Sequence, residues 1–176
     1  DDPMLLSEMD PEKVSRANKS MAKAYKPARE RITEFKINWN IVSWPGSAWA
    51  SRVFPDLPLD QAIVKLADAI FDASRASVDD PIKAWDDHNE KLRVKTNWLN
   101  EQNFAALKYS GPNTDLTVGL AHEHEWMGGA SKSQNGIICN PNIPSEEVFT
   151  TPHAHKVDGT VCSTKPLSYQ GTLIED

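Results

Sequence analysis

Apolar residues recur at Val14, Ala17, Met21, Ala24, Ala28, Ile32 and Phe35, the spacing of one face of an α-helix. Asp10 and Pro11 stand ahead of them as an N-cap and a first-turn proline. Pro27 is expected to kink or break this helix, because it removes a backbone donor and crowds the preceding turn. The period then changes. Ile37, Trp39 and Ile41 alternate with Asn38 and Asn40, which predicts a half-buried strand ended by Trp44-Pro45-Gly46. Leu59, Ile63, Leu66 and Ile70 form the stripe of a second amphipathic helix. A third starts at Asp79-Asp80-Pro81 and is predicted to turn Ile82, Trp85, Leu92 and Leu99 inward.

From Leu107 the apolar period is two. Leu107 and Tyr109 lead into a turn at Gly111-Pro112-Asn113, and Leu116, Val118 and Leu120 alternate with Asp115, Thr117 and Gly119. Further turns are predicted at Gly128-Gly129, Asn135-Gly136, Asp158-Gly159 and Gln170-Gly171, with short strands near Ile137, Val148, Val161 and Leu167. The predicted class is therefore α+β, a mixed α/β chain with a helical first half followed by a strand-rich mixed or antiparallel layer. The expected boundary separates residues 1–103 from residues 104–176. Neither internal repeats nor low-complexity segments interrupt the pattern.

Composition adds limits to this picture. The chain has 176 residues, 39% of them hydrophobic, six of them Trp and five Phe, enough large apolar surface for a core. Its mean hydropathy of -0.53 is that of a soluble globular protein. The formal net charge is -6 and no basic block occurs, which argues against a nucleic-acid partner. No apolar run reaches the length needed to cross a bilayer. The start, Asp1-Asp2-Pro3, is acidic and unlike a secretory leader, so a cytoplasmic location is expected, with Cys139 and Cys162 as free thiols. The chain lacks an initiator Met and stops on the apolar segment Leu173-Ile174-Glu175-Asp176, so it is expected to be a fragment of a longer polypeptide.

Candidate chemistry centres on Asn142-Ile143-Pro144-Ser145-Glu146-Glu147-Val148-Phe149-Thr150-Thr151, bracketed by Pro144 and Pro152. Adjacent acids ordinarily form a solvated surface. Here they lie among apolar and hydroxyl residues, with no Lys or Arg between Lys132 and Lys156 to neutralise them. Two carboxylates at one site repel unless one is protonated or both meet a cation. The prolines suggest an extended, rigid segment, on which successive side chains point to opposite faces and take different roles. Two His-x-His pairs, His122/His124 and His153/His155, could each offer two imidazoles to one ion from one strand face, although His122-Glu123-His124-Glu125 equally resembles a polar loop. His88 lies beside the stripe of the third helix, where the ordinary role is a buried or edge histidine making one hydrogen bond. There is no Gly-x-Ser-x-Gly elbow, no cysteine-protease signature and no phosphate loop.

These residues carry a resemblance. Pro141-Asn142-Ile143-Pro144-Ser145-Glu146-Glu147-Val148-Phe149-Thr150-Thr151-Pro152-His153 is similar to the signature of the aminopeptidase T / aminopeptidase S (PepS) family of dinuclear metalloaminopeptidases. Gly111-Pro112-Asn113-Thr114-Asp115-Leu116-Thr117-Val118-Gly119-Leu120, Trp126-Met127-Gly128-Gly129 and Val157-Asp158-Gly159-Thr160 extend it, as do Asp80-Pro81 with Trp85 and Val53-Phe54-Pro55 with Leu57-Pro58. The resemblance implies that Glu147 binds metal. By analogy with other two-metal peptidases it implies that Glu146 is the catalytic general base. It places His153 near the site, as a substrate-binding or supporting residue. Ser145 replaces the family's Thr and keeps the hydroxyl. The cofactors implied are two divalent metal ions, Zn or Co, and the substrates are peptides with a free N-terminus. A homodimer is implied, and neither nucleic acid nor membrane is. The family's other ligands, a Glu, two His and an Asp, would follow Asp176. A different reading is a non-catalytic metal-binding or interaction module using Glu147, His153 and His155.

Overall fold

The computed structural model describes residues 5, 6, 8–169 and 172–174. The turn expected at Gln170-Gly171 lies outside the described residues. In chain order the elements are α1 (Pro11–Thr33), β1 (Ile41–Val42), α2 (Ser47–Val53), α3 (Leu59–Ala73), α4 (Pro81–Gln102), β2 (Ala106–Gly111), β3 (Thr114–Leu120), β4 (Ser131–Lys132), β5 (Ile138–Cys139), β6 (Asn142–Ile143), β7 (Pro152–Thr160), β8 (Leu167–Tyr169) and β9 (Thr172–Ile174). This is the α+β architecture expected. The chain divides into two compact units, one of residues 1–84, 130–144 and 168–172, the other of residues 85–129, 145–167 and 173–176.

In the first unit α1 begins where Asp10 Oδ1 accepts the Glu12 N–H at 2.9 Å. The helix is not broken at Pro27, which lies inside it. It buries no residue, and Met21 and Tyr25 are exposed. Its C-terminal carbonyl is satisfied by the Lys36 N–H bonding Arg31 O at 2.9 Å, with Phe35 at φ 54° in the left-handed region. The alternating stretch keeps its alternation in burial over residues 37–40, with Ile37 and Trp39 half-buried and Asn38 and Asn40 exposed, but Ile41, expected on the half-buried face, is 62% exposed. Ladder pairing there is confined to β1, which joins β6 in parallel with Ile41 opposite Asn142 and Val42 opposite Ile143. The core of this unit is Ala50, Ala62, Leu66 and Ile70, with Trp49, Phe54, Leu57 and Ile63 packed against it. The stripe read for α3 is therefore the buried one, except that Leu59 is exposed. Helix α2, which no periodicity announces, supplies Ala50 to this core; its seven residues are too few for a 3.6-residue repeat to show.

In the second unit β2, β3 and β7 form one antiparallel sheet in that order. Pro112 and Asn113 make the predicted turn, with Asn113 at φ 53°, and Leu107 pairs with Val118. The turn predicted at Asp158-Gly159 does not form. Strand β7 passes through it, with Asp158 opposite Thr117 and Gly159 opposite Leu116. Gly159 holds φ 121°, and a Cβ there would collide with Asp115 O. A glycine that reads as a turn marker is here a strand position with no room for a side chain. The strands predicted at Val148 and Val161 are also absent; Val148 lies in irregular backbone and Val161 just after β7. Helix α4 starts with Asp80 Oδ1 accepting the Lys83 N–H at 3.0 Å. It buries Leu92 and Thr96 and half-buries Trp85 and Leu99, whereas Ile82, predicted inward, is 77% exposed.

Candidate functional site

Glu146 and Glu147 lie in irregular backbone between β6 and β7, and both are exposed. This segment is irregular but well tethered. Ser145 ahead of the acids is 6% exposed, and its carbonyl oxygen lies 2.6 Å from His88 Nε2, presented by α4. Since a carbonyl can only accept, the imidazole donates from Nε2. The same Nε2 stands 3.6 Å from Glu146 Oε2. Glu147 Oε2 accepts the Glu146 backbone N–H at 3.1 Å, which ties the second acid to its own segment.

Downstream the segment is held edge to edge. Met127 N donates to Phe149 O at 2.9 Å and Phe149 N to Met127 O at 2.8 Å, and the Thr150 hydroxyl donates to Glu125 O at 2.6 Å. The stretch it pairs with is itself fixed by α4. Asn100 Oδ1 accepts the Trp126 N–H at 2.7 Å, and Asn100 Nδ2 donates to Trp126 O at 3.1 Å. Gly128 permits the close approach: a Cβ there would meet Glu147 O at 2.9 Å and Val148 Cγ1 at 3.0 Å. At Gly129, φ is +67° and a Cβ would meet Asn89 Oδ1 at 2.8 Å and Leu92 Cδ1 at 3.1 Å. Two glycines that read as a generic turn are thus the contact points of the acidic segment and of α4. Beside the acids an apolar cleft of about 270 Å³ is lined by residues that include Leu120, Trp126, Val148 and Phe149.

The histidine pairs make local contacts of their own. His122 is exposed, and His124 Nδ1 lies 3.0 Å from Ala121 O, with its ring edge-on to Trp126. His153 and His155 share β7; the His155 N–H donates to His153 Nδ1 at 3.2 Å and the rings stand 6.1 Å apart. Among the described residues no three His, Cys, Asp or Glu side chains gather as a metal shell, so Glu147, His153 and His155 do not form one. A carboxylate such as Glu147 is a suitable donor to a divalent ion. The donor set present therefore fits one ligand of a metal and not a complete site. Cys139 and Cys162 are free thiols. His88, Asn100 and Gly128, the residues that fasten the acidic segment, carry no local pattern in sequence that marks them for this.

The chain is thus of the α+β class, with two adjacent acids on one tethered segment. The chain belongs to the peptidase M29 family, described as thermophilic metalloprotease (M29), whose profile matches residues 1–176. It is similar to aminopeptidase T of Thermus thermophilus, 52% identical over 174 residues, 99% of this chain and 43% of that protein. It is also similar to aminopeptidase 2 of Geobacillus stearothermophilus, 45% identical over 173 residues, 98% of this chain and 42% of that protein. The solved structure of wild-type AmpT from Thermus thermophilus superposes with a TM-score of 0.88 at 49% identity, covering 99% of this chain and 43% of that one. The chain thus spans less than half the length of these relatives.

Proposed function

We propose that this chain is part of a metal-dependent aminopeptidase that removes N-terminal residues from peptides, with Glu147 as a ligand of one of two divalent ions, Zn or Co, and Glu146 as the general base. The observation that carries this reading is the tethering of two adjacent acids in a chain 52% identical to aminopeptidase T. When bound, the ions acidify a water and polarise the scissile carbonyl. Glu147 would hold metal through its carboxylate, whose Oε2 accepts the Glu146 N–H. Glu146, exposed and so able to meet solvent and substrate, takes the proton on a carboxylate oxygen and delivers it to the leaving amine. His153 stands by on β7 as a substrate-binding or supporting residue.

In this reading the remaining ligands lie in sequence after Asp176. Residues 104–176 begin the catalytic domain and residues 1–103 end the one before it. The enzyme is a cytoplasmic homodimer acting on peptides. The net charge of -6 on these 176 residues argues against a nucleic-acid partner, and no helix among the described residues is long and apolar enough to cross a membrane.

The test is made on the full-length enzyme. Glu147→Ala is expected to lose metal and activity together. Glu146→Gln is expected to keep metal and lose about 10²- to 10⁴-fold in kcat. Elemental analysis with an aminoacyl-nitroanilide assay reads both, and stoichiometric metal retained in Glu147→Ala would sink the assignment.

A further inference from the structure

We propose that His88 is a positioning residue for the Glu146 base. The inference rests on the reading of Glu146 given above and adds a residue 57 positions distant in sequence from Ser145. Three observations support it. The His88 side chain is 12% exposed, while the Glu146 side chain it faces is 60% exposed. The imidazole is rigidly mounted on the 22-residue helix α4, with Trp85 edge-on to it at 5.7 Å and 82°. Its Nε2–H donates to Ser145 O at 2.6 Å and lies 3.6 Å from Glu146 Oε2.

One N–H thus fixes the backbone immediately before the acid and stands beside its carboxylate. With the backbone ahead of Glu146 fixed, its carboxylate swings from one anchored point, which leaves less freedom to lose when it meets the reacting water. Removing the donor would also leave the carbonyl of the buried Ser145 without this partner. His88 touches neither substrate nor metal in this scheme. It acts through Ser145 and Glu146.

The experiment uses the full-length, metal-loaded enzyme. His88→Phe keeps a ring and removes the donor. It should lower kcat about 10- to 100-fold with KM and metal content near those of the parent, and lower Tm modestly as the Ser145 carbonyl loses its donor. His88→Gln, whose amide nitrogen reaches the place of Nε2, should restore most of the loss, and His88→Asn, whose amide is too short, should not. In a Glu146→Gln background His88→Phe should lower kcat no further, because the base it positions is already gone. Parental kcat in His88→Phe, loss of metal along with activity, or additive losses with Glu146→Gln would each overturn the proposal. Should His88→Phe not fold, equal kcat in His88→Gln and His88→Asn would overturn it. An inactive Glu146→Gln beside a fully active His88→Phe removes this inference alone, whereas a fully active Glu146→Gln removes the base assignment and this inference together.

Discussion

Gly128 and Glu147 are in backbone contact: a methyl group on Gly128 would stand 2.9 Å from the Glu147 carbonyl oxygen and 3.0 Å from Val148 Cγ1. The neighbouring Met127–Phe149 pair of hydrogen bonds holds the two segments at this distance. The glycine is needed for its missing side chain, so the position of the proposed metal ligand depends on a residue with no chemistry of its own. Gly128→Ala should push Glu147 away, destabilise the fold by about 1–3 kcal/mol and lower kcat of the full-length enzyme about 10²-fold. Denaturant unfolding and steady-state kinetics check it, and a fully active variant would show that the acid needs no such contact.

Asn100 grips both backbone groups of Trp126, a residue 26 positions away. Asn100→Leu would leave a buried donor and acceptor without these partners and should cost about 2–4 kcal/mol. Asn100→Asp keeps the acceptor for the Trp126 N–H but sets a carboxylate against the Trp126 carbonyl. It should fall between the parent and Asn100→Leu in denaturant midpoint; the reverse order would contradict the two-way grip.

Gly159 pairs with Leu116 across the β3–β7 ladder at φ 121°. Gly159→Ala combines a strained backbone with a Cβ driven into Asp115 O. About 3 kcal/mol of stability should be lost. Hydrogen exchange at the β3 and β7 amides should accelerate before exchange at the α4 amides does.

The 176-residue chain by itself should bind Zn or Co well below one ion per chain, because the described residues assemble no three-donor shell. Equilibrium dialysis with elemental analysis decides the matter. Tight, stoichiometric binding lost in His153→Ala or His155→Ala would instead favour the separate module built on Glu147 and the β7 histidines.

Periodic features are legible because a repeat is a local property. The α3 stripe, the α4 positions Leu92 and Leu99, and the hairpin at Pro112-Asn113 all carry their geometry in consecutive residues. Helix ends are harder to read. Phe35, Arg75 and Asn103 take the left-handed conformation after α1, α3 and α4 where glycine would have marked the stop. Pro27 reads as a kink or a break, yet the helix continues past it.

Residue order is enough for the α+β class, the family and the identity of the two candidate acids, since composition, periodicity and motif all reside in it. Only the folded chain reveals that His88 meets Ser145, that Asn100 grips Trp126, that Gly128 yields to Glu147, and that Gly159 is a close approach of strands and not a turn. Each of these is a hydrogen bond or a steric contact between groups far apart in the chain. Such contacts leave no periodic trace, because each depends on one residue meeting one distant partner.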